Sequence, residues 1–128
     1  MSATPQHSPQ QNHLLAALPE VVQERLYPFL ELAEMPLGRV LFESGVLMRH
    51  VYFPTDAIIS LLYVMENGAS AEIAVVGNEG MVGLALFMGG ESTTSRTIVQ
   101  SAGFAYRLLG KRFTDEVNRH SELLMLML

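Results

Sequence analysis

The residues of this chain that are best suited to binding chemistry lie in one stretch, Gly77–Thr97. It has five glycines within its first fourteen residues and ends with Arg96 and Thr97. Glycines let backbone N–H groups approach a ligand closely, and an arginine fork matches the geometry of a phosphate. A short helical turn after Gly83, with its N-terminus facing Arg96 and Thr97, would form a cradle for an anion. The stretch therefore predicts an anion-binding loop.

Other site chemistries lack the residues that they need. There is no cysteine, which excludes disulfides, thiolate metal sites and cysteine nucleophiles. The histidines are far apart, without His-x-His or His-x-x-x-His spacing, so they predict no metal site: His7, His13, His50 and His120. No Gly-x-Ser-x-Gly motif occurs, and the glycines fit neither a P-loop nor a dinucleotide fingerprint. We therefore expect a binding protein that is not an enzyme.

Composition limits the class of protein further. The chain has 128 residues, of which 49% are hydrophobic and 16% charged, which indicates one globular domain with its own core. A net charge of −5 argues against a nucleic-acid-binding surface on this chain. The first eleven residues are polar, so we expect a disordered tail over residues 1–11 and no secretory signal. No apolar run approaches the length of a membrane span, so we expect a cytoplasmic protein.

The elements that must position the glycine stretch begin with two short helices. Asn12 is a suitable cap for a helix that includes Leu14, Leu15 and Leu18. Pro19 fits the first turn of a second helix, and Pro28 predicts that regular helical hydrogen bonding ends near Tyr27.

After residue 32, short apolar runs alternate with turn residues, which predicts an all-β sandwich or roll. The clearest element is a hairpin of Ile58–Met65 and Ala71–Val76, for which Asn67-Gly68 predicts a type I′ turn. Two further strands are expected after the glycine stretch, at Thr97–Gln100 and Phe104–Leu109.

Helical composition returns at the C-terminal end. Lys111–His120 places Phe113 and Val117 on one face, and Ser121 could cap another helix. Leu123–Leu128 is apolar on every side and must therefore be buried, on the domain or on a second copy. We favour a truncated helix that makes a dimer contact.

The order of these features resembles the sensor domain of Crp/Fnr-type bacterial transcription regulators, a cyclic-nucleotide-binding β-roll. The segments that carry the resemblance are Asn12–Leu18, Leu37–Gly38, His50–Pro54, Ser60–Val64, Asn67–Gly68, Val76–Phe87, Ser95–Thr97 and Phe104–Phe113. The resemblance implies a mainly β fold, a double-stranded β-helix (jelly-roll-like β-roll), over residues 12–120, with short N-terminal and C-terminal helices. Residues 121–128 would begin the long dimerisation helix, and the family's helix-turn-helix domain is absent from this chain.

The resemblance also implies roles for individual residues. In the family the arginine and the hydroxyl residue after it hold the cyclic phosphate, roles that would fall on Arg96 and Thr97. Backbone N–H groups of the turn at Gly83, Leu84 and Ala85 would help to hold the same phosphate. In the family's cyclic-nucleotide binders, a glutamate directly follows the glycine that corresponds to Gly83, and it accepts a hydrogen bond from the ribose 2′-hydroxyl. This chain has Leu84 at that position.

Loss of that glutamate predicts weakened binding of cyclic AMP or cyclic GMP, by roughly 10–150-fold. A different phosphate-bearing effector, or another small effector, therefore stays open as the native ligand. Two other classes also stay open: a ligand-free dimerisation or protein-interaction module, and, less favoured, a small jelly-roll enzyme.

Overall fold

The computed structural model describes residues 7–42, 49–83 and 95–119, apart from the side chains of Val64, Ile73 and Ser95. The helices are α1 (His13–Ala17), α2 (Glu20–Leu26) and α3 (Gly110–Arg119), with 3₁₀ helices at Pro9–Gln11 and Tyr27–Phe29. The strands are β1 (Glu31–Met35), β2 (Val40–Phe42), β3 (His50–Pro54), β4 (Ile58–Val64), β5 (Ser70–Val76), β6 (Ser95–Ser101) and β7 (Gly103–Leu109). No helix in the described ranges is long and apolar enough to cross a membrane.

The described strands form two antiparallel sheets. One has the order β1-β7-β3 and the other the order β2-β6-β4-β5. Strands that are distant in sequence are neighbours in both sheets, as expected for a jelly-roll-like β-roll. The mainly β fold with short helices at both ends, predicted from the sequence, is confirmed.

The three-stranded sheet separates two apolar clusters. Because side chains alternate across a strand, Val51 and Phe53 of β3 pack toward the helices, whereas Tyr52 between them packs toward the second sheet. The helical cluster also contains Leu108 of β7 and Phe113 of α3. Both faces of β3 are therefore buried, which places this strand between the two apolar clusters.

The helix boundaries follow the predicted signals. The Asn12 side chain caps α1 by accepting from the amides of Leu14 and Leu15, as predicted. Regular α-helix ends at Leu26, before Pro28, as also predicted. On α3, the expected face of Phe113 and Val117 is buried.

Part of the predicted N-terminal tail is ordered, so the expectation of disorder over residues 1–11 is wrong for Ser8–Gln11. These residues form a capping box around the 3₁₀ helix: Ser8 Oγ accepts from the Gln10 amide, and the Ser8 amide donates to Gln11 Oε1. Reciprocal hydrogen bonds of this kind at a helix start order a polar segment.

The β4–β5 hairpin is confirmed, but its turn is not of type I′. A type I′ turn needs positive φ at two residues, and in this turn only Gly68 has it, at 87°. The Gly68 amide donates to the Met65 carbonyl at 3.0 Å, and Met65 donates to Ala69 at 2.7 Å. The loop thus has three residues between the paired ends, which requires only one left-handed position.

Candidate functional site

The glycine stretch begins with a tight turn, Gly77–Gly80. The Gly80 amide donates to the Gly77 carbonyl at 3.2 Å, and the Gly77 amide donates to Glu79 Oε1 at 3.1 Å. Amide donors from Gly77 and from Glu79 itself hold the pKa of the Glu79 carboxyl below its usual range, and His13 adds to the effect. The Glu79 carboxylate therefore stabilises the turn through hydrogen bonds from the backbone amides.

Val82 attaches the end of this turn to the three-stranded sheet. Tyr52 and Val82 exchange two backbone hydrogen bonds, of 3.0 and 2.8 Å, and only 2% of the Val82 side chain is exposed. The next residue, Gly83, has φ of 108°, a conformation that side chains rarely adopt. The chain is thus held by the Tyr52–Val82 bridge just before the predicted ligand loop. It enters that loop at position 83, whose backbone conformation glycine adopts most easily.

Leu84 and Ala85, two of the predicted site residues, lie outside the described residues, as does the short helical turn expected after Gly83.

Arg96 and Thr97 lie next to each other on β6, where they pair with Leu62 and Leu61 of β4. Since successive side chains leave a strand on opposite faces, the two do not start on the same side of the sheet. Thr97 is 4% exposed and shares its face with Val99, which lies in the cluster between the sheets. Arg96 is half-buried on the other face, and its Nε is shielded from solvent. The long Arg96 side chain would have to curve around the strand to join the Thr97 hydroxyl at one ligand.

On its own face, Arg96 lies beside a polar cluster that the sequence did not point to. Ser60 Oγ is 2.8 Å from Glu72 Oε1 and 2.5 Å from the Gln100 carboxamide oxygen. The hydroxyl has one proton, so it can donate to the carboxylate and must accept from the carboxamide. Turning the Gln100 amide by half a rotation supplies that donor. The signal that the sequence offered for this cluster was Ser60, a serine inside the apolar run that forms β4.

This cluster affects the electrostatics around Arg96. Leu62 pairs with Arg96 on one side and with Glu72 on the other, so the Glu72 carboxylate lies on the same sheet face. Their strands are separated by one intervening strand, a backbone distance of about 10 Å. A phosphate at Arg96 would thus meet one cation close by and one carboxylate farther away.

The histidines do not form a metal centre in the part of the chain that the structure describes, where no three His, Cys, Asp or Glu groups could hold an ion together.

Burial lowers the pKa of His50. The positive charges of Arg107 and Arg49 lower this pKa further, and the negative charge of Glu31 opposes them. His50 therefore stays neutral at pH 7.

Comparison with known proteins gives one family match. The family model of the cyclic nucleotide-binding domain matches residues 33–120. A comparison with curated protein sequences yields no significant match.

Several solved structures share the fold. The catabolite activator protein of Thermus thermophilus superposes with a TM-score of 0.71 at 14% identity, over 93% of this chain and 54% of that one. The sensor domain of the transcriptional regulator DNR from Pseudomonas aeruginosa gives 0.73 at 14% identity, over 91% and 78%. The regulatory subunit of a cAMP-independent protein kinase A from Trypanosoma brucei gives 0.75 at 14% identity, over 89% and 42%.

The chain thus covers 54%, 78% and 42% of the lengths of these three proteins, which is about half in two of them. At such low identity the likenesses establish the fold. They confirm the β-roll fold that the resemblance implies.

Proposed function

The chain belongs to the cyclic nucleotide-binding domain family, and on that basis we propose that it is the sensor domain of a cytoplasmic Crp/Fnr-like transcription regulator. In this role it binds a small phosphate-bearing effector, or another small effector, in a degenerate cyclic-nucleotide pocket. Binding then controls a dimer and a DNA-binding domain that is not part of these 128 residues.

The observation that carries this proposal is the position of Arg96. It is half-buried on the strand that follows the glycine loop, and its guanidinium fork matches the geometry of a phosphate. The turn at Gly83 enters the same loop from the opposite end. The proposed ligand contacts are Gly83, Leu84, Ala85, Arg96 and Thr97, of which Thr97 supplies a buried hydroxyl or its backbone amide.

A binding role, not a catalytic one, is the better-supported part of this proposal. The described residues offer no metal-ligand set, and the polar cluster at Ser60 has its hydroxyl engaged by Glu72 and Gln100.

The test is a thermal-shift series with cyclic AMP, cyclic GMP, other nucleotides and divalent metals. A ligand at ten times its Kd stabilises by about 1.4 kcal/mol, or roughly 5 °C for a domain of this size. In Arg96→Gln, loss of a charge-assisted bond weakens binding by roughly 10–150-fold, and the shift falls below about 2 °C. Arg39→Gln, at an exposed position, is the matched control and should keep the full shift.

Two outcomes would overturn the sensor proposal. A shift that Arg96→Gln does not reduce would remove Arg96 from the site. Stabilisation by metals alone would favour an enzyme.

A ligand-free dimerisation or protein-interaction module is the second candidate. The space between the two sheets is filled by apolar side chains, among them Ile59, Val82 and Val99, which pack without a ligand. No shift with any of the compounds would favour this candidate.

We further propose that the chain forms a homodimer through Glu122–Leu128, which lie outside the described residues. Light scattering of the isolated chain should give twice the 14.1 kDa monomer mass. Leu124→Glu, which places a charge in this apolar segment, should shift the protein to the monomer, whereas Glu122→Gln should not. A monomer for the parent chain at high concentration would contradict the dimer.

A further inference from the structure

The Asn12 carboxamide is a buried polar group that forms four hydrogen bonds. It is 0% exposed. Its Oδ1 accepts from the amides of Leu14 at 3.0 Å and Leu15 at 3.1 Å. Its Nδ2 donates to the carbonyls of Pro54 at 2.9 Å and Gly80 at 2.8 Å. Two acceptor positions and two donor hydrogens are the full capacity of a carboxamide.

The four bonds join three separate parts of the molecule: the start of α1, the end of β3 and the turn of the glycine stretch. Gly80 lies two residues before the Val82 bridge and three before Gly83, where the chain enters the proposed ligand loop. A second bond runs in parallel, because the His13 amide donates to the Asn78 carbonyl at 2.7 Å. The start of α1 is therefore attached directly to the segment that positions the loop.

Helix capping explains only half of this arrangement. Serine or aspartate would also accept from the amides of Leu14 and Leu15. The bonds to Pro54 and Gly80 need two N–H donors that point at two carbonyl oxygens. An aspartate would place a negative oxygen against both, and a serine has one proton on a shorter side chain. Of these three residues, asparagine is the one that can both cap the helix and donate to the two carbonyls.

We propose that Asn12 is a positioning residue for the ligand loop, a role that rests on the proposed function. It holds the Gly80 carbonyl, and with it the Val82 bridge and the backbone at Gly83, in the geometry in which the loop receives a phosphate-bearing ligand. Asn12 itself does not touch the ligand.

The experiment compares Asn12→Ser with Gln23→Ala in the full chain. The serine keeps the helix cap and removes both donors. Gln23 Nε2 donates at 3.2 Å to the carbonyls of Leu15, Ala16 and Leu18, so its loss loosens the same helices without affecting Gly80. Asn12→Asp, of almost the same volume, is a second variant that leaves no cavity.

Two properties are measured at a temperature at which the variants are folded: exchange of the Val82 amide with deuterium, and affinity for cyclic AMP. Both Asn12 variants should accelerate Val82 exchange at least tenfold and weaken cyclic AMP binding at least fivefold. Gln23→Ala should change each by less than twofold.

Equal changes in Gln23→Ala and Asn12→Ser would overturn the proposal, because they would reveal a general effect of stability. Unchanged Val82 exchange in both Asn12 variants would overturn it as well. Faster exchange in a chain whose parent form binds no cyclic AMP would support the positioning of the turn and contradict a cyclic AMP site in this loop.

Discussion

Leu84→Glu is expected to strengthen cyclic AMP binding by roughly 10–150-fold. The resemblance to cyclic-nucleotide binders places a glutamate at this position, where it accepts from the ribose hydroxyl. A hydrogen bond to a charged group contributes about 1.5–3 kcal/mol net, which corresponds to that range of affinity. In the arrangement that the resemblance implies, a leucine at position 84 would leave the ribose hydroxyl without a partner, and the substitution would remove this cost.

Calorimetric titration with cyclic AMP measures the effect. Leu84→Gln is the matched control: it has nearly the same size but no charge, so it should strengthen binding by a smaller factor, about 2–13-fold. Combining Leu84→Glu with Arg96→Gln should remove the gain if both residues bind one ligand. No binding by the parent chain or by Leu84→Glu would contradict a nucleotide site that is merely weakened.

Leu108→Ala should lower the free energy of unfolding by about 2–5 kcal/mol. Leu108 is 0% exposed, on the β7 strand at the centre of the three-stranded sheet, where it belongs to the cluster that joins this sheet to the helices. The alanine loses the buried methyl groups and leaves a cavity that rigid strands on both sides cannot fill. For 128 residues, the melting temperature should fall by roughly 7–18 °C.

Chemical denaturation and calorimetry provide the measurement, and Leu37→Ala the control. Leu37 is 71% exposed in the turn after β1, so the same substitution there should change stability by less than about 0.5 kcal/mol. Similar losses in both variants would mean that this cluster is not the main source of stability.

The hairpin shows how far local sequence rules reach. Short apolar runs predicted both strands, and Asn67-Gly68 predicted the turn between them. The type of turn depended on which residues paired across the hairpin, and the Met65–Ala69 bond sets a three-residue loop. Because pairing register is a property of two strands together, no single segment could determine it.

The candidate site shows a similar division. Arg96 and Thr97 were predicted from their types and their order after the glycines, and both lie on a strand that borders the loop. That the two start on opposite faces, and that Arg96 shares its face with Ser60, Glu72 and Gln100, depends on the pairing of β4, β5 and β6. Residues that are 12 to 40 positions apart became neighbours through these pairings.

The sequence by itself determined a mainly β domain with a capped first helix, a glycine loop and an arginine suited to phosphate. These features are local, because they follow from backbone propensities, side-chain period and the chemistry of single residues. Only the tertiary structure decided that Asn12 bonds to Pro54 and Gly80, and that Val82 pairs with Tyr52. Such contacts join segments up to 68 positions apart, and they form only when both sheets and the helices have packed. The glycine stretch therefore has its chemistry from its own residues and its position from the rest of the fold.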